Sequence, residues 1–191
     1  MIGILLAAGF SRRFGTDDKL LYPLPNGTAI AISAAQRLIA ALPLSVAVVR
    51  PENTYLAERL RALGLHVAFC PENAHHMADS LICAVRYATQ FAQQHDGFVI
   101  ALGDMPYIKP ATIVAVANAV TAGAAIAIPT FNGQRGHPVG FAATFRLELE
   151  QLSGDEGARA IVKRHAHQVV LVACEDGGIL ADIDTPSDVV T

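Results

Sequence analysis

Gly9, Ser11, Arg12, Arg13, Gly15 and Lys19 fall within one short polar stretch that follows the apolar run Ile2 to Ala8. A buried strand that breaks into such a loop offers glycine backbone N–H groups and three cations to whatever sits above it. Arg12, Arg13 and Lys19 can neutralise phosphate charge, so the chemistry this loop suits is polyphosphate binding. Two familiar phosphate loops are excluded, because neither G-x-x-x-x-G-K-[ST] nor G-x-G-x-x-G occurs. An ordinary solvated connection would explain each residue singly. The density of cations and glycines favours phosphate.

Carboxylates supply the second candidate group. Asp104 leaves the apolar run 97–102 within Gly103-Asp104-Met105-Pro106. A carboxylate there can hold Mg²⁺, which takes hard oxygen ligands and shares them with phosphates and water. A turn-forming Asp bonded to nearby N–H groups is the plainer alternative. Asp182 and Asp184 flank Ile183 in Asp182-Ile183-Asp184-Thr185-Pro186. If residues 179–183 form a strand, both point to one side and can complete a metal site with Asp104. Asp184 also reads as the N-cap of a final short helix that starts at Pro186. Asp182 therefore takes the metal role first, with Asp184 as cap or second ligand.

Arg135-Gly136-His137-Pro138 follows the turn signal Asn132-Gly133. It is either a rim for an anionic second substrate or a surface turn. Ser153 to Arg159 reads as a helix start with Asp155 as cap, and Arg159 faces either an anion or solvent. His75 and His76 lack the carboxylate or Cys spacing of a metal site. No covalent nucleophile is evident, since there is no G-x-S-x-G elbow and no Cys–His pairing by spacing.

The elements that must position these groups alternate. Apolar runs at 2–8, 45–49, 66–69, 97–102 and 124–128 read as strands, and 168–173 and 179–183 as late ones. Between them, 28–42 (Thr28 as N-cap), 52–63 (stopped by Gly64), 79–93, 110–120, 145–152 and 156–165 have helical spacing. This rhythm predicts a three-layer, Rossmann-like α/β/α fold with a mostly parallel sheet. Ligands of such sheets sit at the carboxyl ends of strands, where the 9–19, 103–106 and 182–186 stretches all fall.

With 191 residues, the chain fits a single domain spanning 1–191. It is 52% hydrophobic and 16% charged, which excludes disorder. A net charge of −3 gives no basic surface for nucleic acid. The first apolar run is too short for a membrane span or a signal peptide. Cys70, Cys83 and Cys174 are scattered, as expected of reduced thiols in a cytoplasmic protein.

L-A-A-G-x-S-R-R-x-G-x(3)-K-L-L resembles the signature loop of the molybdenum cofactor nucleotidyltransferases. The other motifs follow it in order: Gly103-Asp104-Met105-Pro106, Arg135-Gly136-His137-Pro138, Ser153 to Arg159 and Asp182 to Pro186. The set is most similar to the cytidylyl branch, since Ala7-Ala8 precede Gly9 where the guanylyl branch tends to carry glycine at position 8. The resemblance implies Mg²⁺-dependent transfer from CTP to molybdopterin with release of pyrophosphate. It places Arg13, Lys19 and Asp104 in catalysis, nucleotide contacts on Ala7, Ala8, Gly9, Ser11, Arg12, Arg13 and Lys19, and a nucleoside contact on Ser80. Gly136 and His137 would face the pterin, and Asp104 with Asp182 or Asp184 would hold metal. A target molybdoenzyme is a further partner. The chain departs from the family at Cys70-Pro71, where Asn-Pro is usual, and at His76-Met77, where Gly-Met is usual. Both lie in the segment that would line the nucleoside pocket. The choice between CTP and GTP, another phosphorylated acceptor, or a non-catalytic cofactor-binding chaperone stays open at this point.

Overall fold

The computed structural model describes residues 1–9, 14, 18–71, 76–93, 96–154 and 156–189. Its first half alternates strand and helix. Ile2–Ala7 (β1), Ser45–Val49 (β2), His66–Phe69 (β3) and Phe98–Leu102 (β4) pair in the order β3-β2-β1-β4, all parallel. Leu6 stands opposite Val48 on one side and Leu102 on the other, so β1, β2 and β4 end together. Central parallel strands are covered on both faces and need apolar residues at every position. Ile4, Leu5, Val46, Ala47, Val48, Val49 and Val99 are accordingly solvent-free.

Alternation along these strands divides the core in two. Leu5, Ala47, Val49 and Val99 meet Ile30–Ala41 (α1), Thr54–Ala62 (α2) and Pro110–Thr121 (α4) through Leu38, Leu56, Leu60, Ile113 and Val116. Ile2, Ile4, Val46, Val48 and Ile100 meet Met77–Ala88 (α3), Arg146–Glu150 (α5) and Arg159–Arg164 (α6) through Leu81, Val85, Leu149 and Ile161. The result is the expected α/β/α arrangement of three layers.

The second half departs from a simple parallel array. Ile126–Phe131 (β5) turns through Asn132-Gly133, at φ 49° and 77°, into Gln134–Arg135 (β6). Val139–Phe141 (β7) then inserts between β4 and β5, antiparallel to both. Two reversals restore β5 to the direction of β4, and Val169–Ala173 (β8) pairs parallel with β5. The sheet is thus mostly parallel, with only β6 and β7 reversed among the described strands. β7 is short and contains a glycine, so periodicity does not reveal it. Gly140 is needed there because a Cβ would stand 2.8 Å from Val120 and 2.9 Å from Val116 of α4.

Three local expectations are corrected. No strand forms over 179–183: Gly177–Leu180 is a 3₁₀ turn and residues 181–184 join no ladder. The pair Gly177-Gly178 favours a turn, and the Asp176 carboxylate closes it by accepting from the Gly178 N–H at 3.1 Å. Asp184 is not a helix cap. The last turn, Pro186–Asp188, is capped by Thr185, whose N–H and hydroxyl both donate to Asp188. Thr28 does not cap α1, which starts at Ile30 behind Ala29, and the Thr28 N–H donates to Asn26 instead. No described helix is long and apolar enough to cross a membrane.

Candidate functional site

At the carboxyl end of β1, Ala7 and Ala8 are buried and Gly9 is exposed, with none of the described residues within 4 Å of where a Cβ would stand. Ser11, Arg12, Arg13 and Gly15 lie outside the described residues, as do His75 and Asp155. The chain is described again at Asp18, which caps the 3₁₀ turn Lys19–Leu21 by accepting from the Leu20 N–H at 3.0 Å. Its other oxygen accepts from the Asn53 amide. Leu20 is buried, so the turn is fixed on its apolar side and Lys19 is left to face the strand ends.

Lys19 Nζ donates to Asp104 at 2.8 Å and to Asp184 at 3.2 Å. Its side chain is 13% exposed, enough burial for these charges to matter. Burial alone would lower the Lys19 pKa. The hydrogen bonds and charges of Asp104 and Asp184 overcome that and hold it above the ordinary value, so the ammonium stays charged.

Asp104 is placed by β4. The Gly103 N–H donates to the Leu6 carbonyl at 2.9 Å, and a Cβ on Gly103 would press within 3.0 Å of that same oxygen. Asp184 arrives from the other end of the sequence. Ile183 beside it donates its N–H to the Asp104 carbonyl at 3.0 Å. The Ile183 side chain is fully buried with Phe14, Leu24 and Ile30. Burying such a side chain is worth about 1.5–3 kcal/mol, which holds the carboxylate-bearing segment down.

Beside this cluster lies a cavity of about 830 Å³ over the strand ends, between the sheet and α3 and α6. Leu6, Ile100, Leu102 and Ile128 line its floor; Arg135, Arg159, Lys163, Glu156 and Asp182 bring charge to it. His137 also lines it, with its N–H donating to the Ile179 carbonyl at 3.0 Å. Its Nδ1 is buried without a hydrogen-bond partner among the described residues. Burial lowers the His137 pKa, opposed by the Asp104 charge and reinforced by Arg159, so the imidazole is neutral at pH 7.

The structure therefore sorts the sequence candidates. Lys19, Asp104 and Asp184 meet at one point. Asp182 lines the cavity, with Gly136, His137 and Arg159. Ser80 is half-buried in the first turn of α3, and the cavity residues of that helix are Met77 and Leu81. Cys70 is buried, its N–H bonded to the Val49 carbonyl, and burial pushes its thiol pKa up. His76 precedes α3 at φ −112°, a conformation that any residue adopts, and its N–H donates to Asp79 at 3.0 Å. Among the described residues no group of three or more His, Cys, Asp or Glu is arranged to hold a metal alone. The pair Asp104 and Asp184 fits an ion that draws its remaining ligands from phosphate and water.

Sequence reading missed Asp176, one of few buried polar residues, and Lys163 at the cavity. The signal for Asp176 was present: an Asp just after an apolar run and just before two glycines.

Helices on both faces of a mostly parallel sheet, with a cation and carboxylates gathered at its carboxyl edge, match the architecture of nucleotidyltransferase structures. Residues 3–169 match the MobA-like NTP transferase domain, and the chain belongs to that family. The purine catabolism protein PucB of Bacillus subtilis (strain 168) is 32% identical over 98% of this chain and 93% of its own. Nicotine blue oxidoreductase of Paenarthrobacter nicotinovorans is 25% identical over 96% of this chain and 91% of its own. Among solved structures, Rv0371c of Mycobacterium tuberculosis H37Rv superposes with TM-score 0.84 at 28% identity, covering 98% of this chain and 95% of that one. The same mycobacterial protein is also solved as a complex with manganese, at TM-score 0.78 and 25% identity over 98% and 94% of the two chains.

Proposed function

We propose that this chain, acting as one domain over 1–191, is a Mg²⁺-dependent cytidylyltransferase. It moves the cytidylyl group of CTP onto the phosphate of molybdopterin, the organic part of the molybdenum cofactor, and releases pyrophosphate. The observation that carries the reading is the Lys19–Asp104–Asp184 cluster, set at the carboxyl edge of β1 and β4 beside a cavity large enough for a second substrate.

Asp104 and Asp184 would hold the divalent ion, and a manganese complex of one relative supports a metal in this family. A bound Mg²⁺ supplies charge neutralisation for the triphosphate and the leaving pyrophosphate. Lys19 supplies a fixed ammonium for the same charge, kept protonated by the two carboxylates. Arg12, Arg13, Ser11 and the backbone of Ala7 to Gly9 would complete the triphosphate grip, and Arg13, Lys19 and Asp104 would act on the transfer itself. The acceptor occupies the cavity, where the apolar floor takes a flat body and Arg135, Arg159 and Lys163 attract its phosphate. Orientation of that phosphate against the α-phosphorus replaces any covalent step on the protein. Gly136 and His137 face the acceptor, and Ser80 the nucleoside. A cytoplasmic setting and delivery to a target molybdoenzyme accompany this reading.

One fold can host several chemistries, and one relative carries an oxidoreductase name. Here the ammonium between two carboxylates favours phosphoryl chemistry over redox chemistry. The test is pyrophosphate release with each NTP in turn, Mg²⁺ and freshly prepared molybdenum cofactor. Release with CTP alone is expected. Release with GTP alone transfers the chain to guanylyl transfer. Tight CTP binding without release points to another phosphorylated acceptor or to a non-catalytic carrier.

A further inference from the structure

Residues 176–184 form a strap that runs from the end of β8 back across the carboxyl edge of the sheet. They lie beyond the residues that match the family. The strap begins at Asp176, which is 2% exposed. A buried carboxylate is costly unless its oxygens are filled with donors. One oxygen of Asp176 accepts from the Lys109 N–H at 2.8 Å and the Thr112 hydroxyl at 2.6 Å; the other accepts from the Gly178 N–H at 3.1 Å. Lys109 adds a bond from its ammonium to the Glu175 carbonyl at 2.9 Å. Two of the three donors to Asp176 belong to the start of α4, where the helix dipole also favours an anion. The third belongs to the strap.

From this anchor the strap reaches the cavity by contacts that have no slack. A Cβ on Gly178 would stand 2.3 Å from the Tyr107 carbonyl oxygen, and one on Gly136 would stand 2.2 Å from the Ile179 carbonyl oxygen. Backbone therefore rests on backbone at both points. The Ile179 carbonyl accepts the His137 N–H, and Leu180 and Asp182 line the cavity. The distal end has its own anchor, with Ile183 in its apolar pocket and bonded to Asp104. The Lys19 turn is held separately by Asp18 and Asn53.

We infer that Asp176 is a positioning residue for the acceptor side of the cavity: it pins the strap to α4 and thereby sets the places of His137, Leu180 and Asp182. The inference rests on the two-substrate reading above. It requires that disturbing Asp176 weakens use of the acceptor while leaving use of the NTP nearly unchanged. Asp176→Asn is the sharpest variant, because an amide can accept at only one oxygen and so sets an NH₂ against one of the two backbone N–H groups.

Initial rates with CTP and molybdenum cofactor varied separately decide it. Asp176→Asn should raise the KM for the cofactor roughly tenfold and leave the KM for CTP within about twofold. Thr112→Val, which removes one donor of three, should move the same constant by about threefold. If Asp176→Asn fails to fold, Thr112→Val carries the test with the same readout. Leu149→Ala, a core truncation in α5, should lower Tm without this split. Equal changes in both KM values, or none, overturn the inference. If the wild-type chain transfers nothing from any NTP, the proposed function falls, and amide exchange decides the inference separately. Asp176→Asn should then speed exchange at the His137 N–H at least about tenfold while Leu5 in β1 keeps its protection. Unchanged exchange at His137 overturns it.

Discussion

The two sides of the site are built on opposite plans. Around Lys19, charged groups face one another at hydrogen-bond distance, with two carboxylates on one ammonium. Across the cavity, Arg135, Arg159 and Lys163 stand over an apolar floor, and the buried Nδ1 of His137 has no partner among the described residues. The first arrangement is satisfied within the protein and suits a ligand that enters with its own counter-charge, a metal-bound polyphosphate. The second leaves an unmet hydrogen-bonding atom, which a native fold rarely tolerates unless a ligand or water meets it. Pairing holds the reactive groups in place, while shape and an unfilled polar atom select what comes to them.

The contrast breaks first at Asp104. Asp104→Asn should reduce pyrophosphate release by about 10²–10³-fold, since a charge-stabilising group is lost at the reacting centre. It should also let the Lys19 pKa fall, because its strongest supporter is removed. Rates that stay unchanged would separate Asp104 from metal and catalysis altogether.

The comparison sharpens at the two neighbouring carboxylates. Asp184→Asn should cost about 10–100-fold and raise the Mg²⁺ concentration needed for half-maximal rate. Asp182→Asn should leave Mg²⁺ dependence within about twofold and act on the KM for the acceptor. A titration of rate against Mg²⁺ for both variants checks the pair, and the reverse ranking would return the metal to Asp182.

Gly136→Ala tests how rigid the cavity wall is. Its Cβ would overlap the Ile179 carbonyl oxygen, a backbone atom that cannot rotate away. Overpacking of this kind costs about 1–3 kcal/mol, and thermal unfolding should report it. Gly9→Ala, where the added carbon meets none of the described residues within 4 Å, should leave Tm within about a degree of wild type.

The smallest effect concerns pH. The folded Lys19 pKa is raised above its ordinary value of 10.5. Its contribution to stability is therefore fully present below about pH 10.5 and is lost as pH rises through the folded pKa. Chemical denaturation between pH 9 and the alkaline limit should show this loss in the wild type and not in Lys19→Met.

Much of the scaffold was legible because its rules are local. The runs at 2–7, 45–49 and 98–102 are apolar at nearly every position, and that demands burial on both faces. Asn132-Gly133 marked a turn because both residues tolerate positive φ. The misreadings have one physical origin. β7 owes its place to pairing with β4 and β5, neither adjacent to it in sequence, and to a glycine that lets α4 approach. The strand expected at 179–183 gave way to a turn because the Asp176 carboxylate and two glycines stabilise the turn locally.

For the site, the sequence by itself determined the inventory: a cationic glycine loop, Asp104 after a buried strand, and a late pair of aspartates. Residue type and position after a strand suffice for that, because charge and hydrogen-bonding capacity belong to the side chain. Which of those groups meet was decided by tertiary structure alone. Lys19 reaches an aspartate 85 positions away and another 165 away, and Asp182 lines the cavity beside them. Such pairings follow from how strands are ordered and how the strap lies across them. That geometry is fixed by burial of Ile183 and by the donors around Asp176, contacts that sequence spacing does not encode.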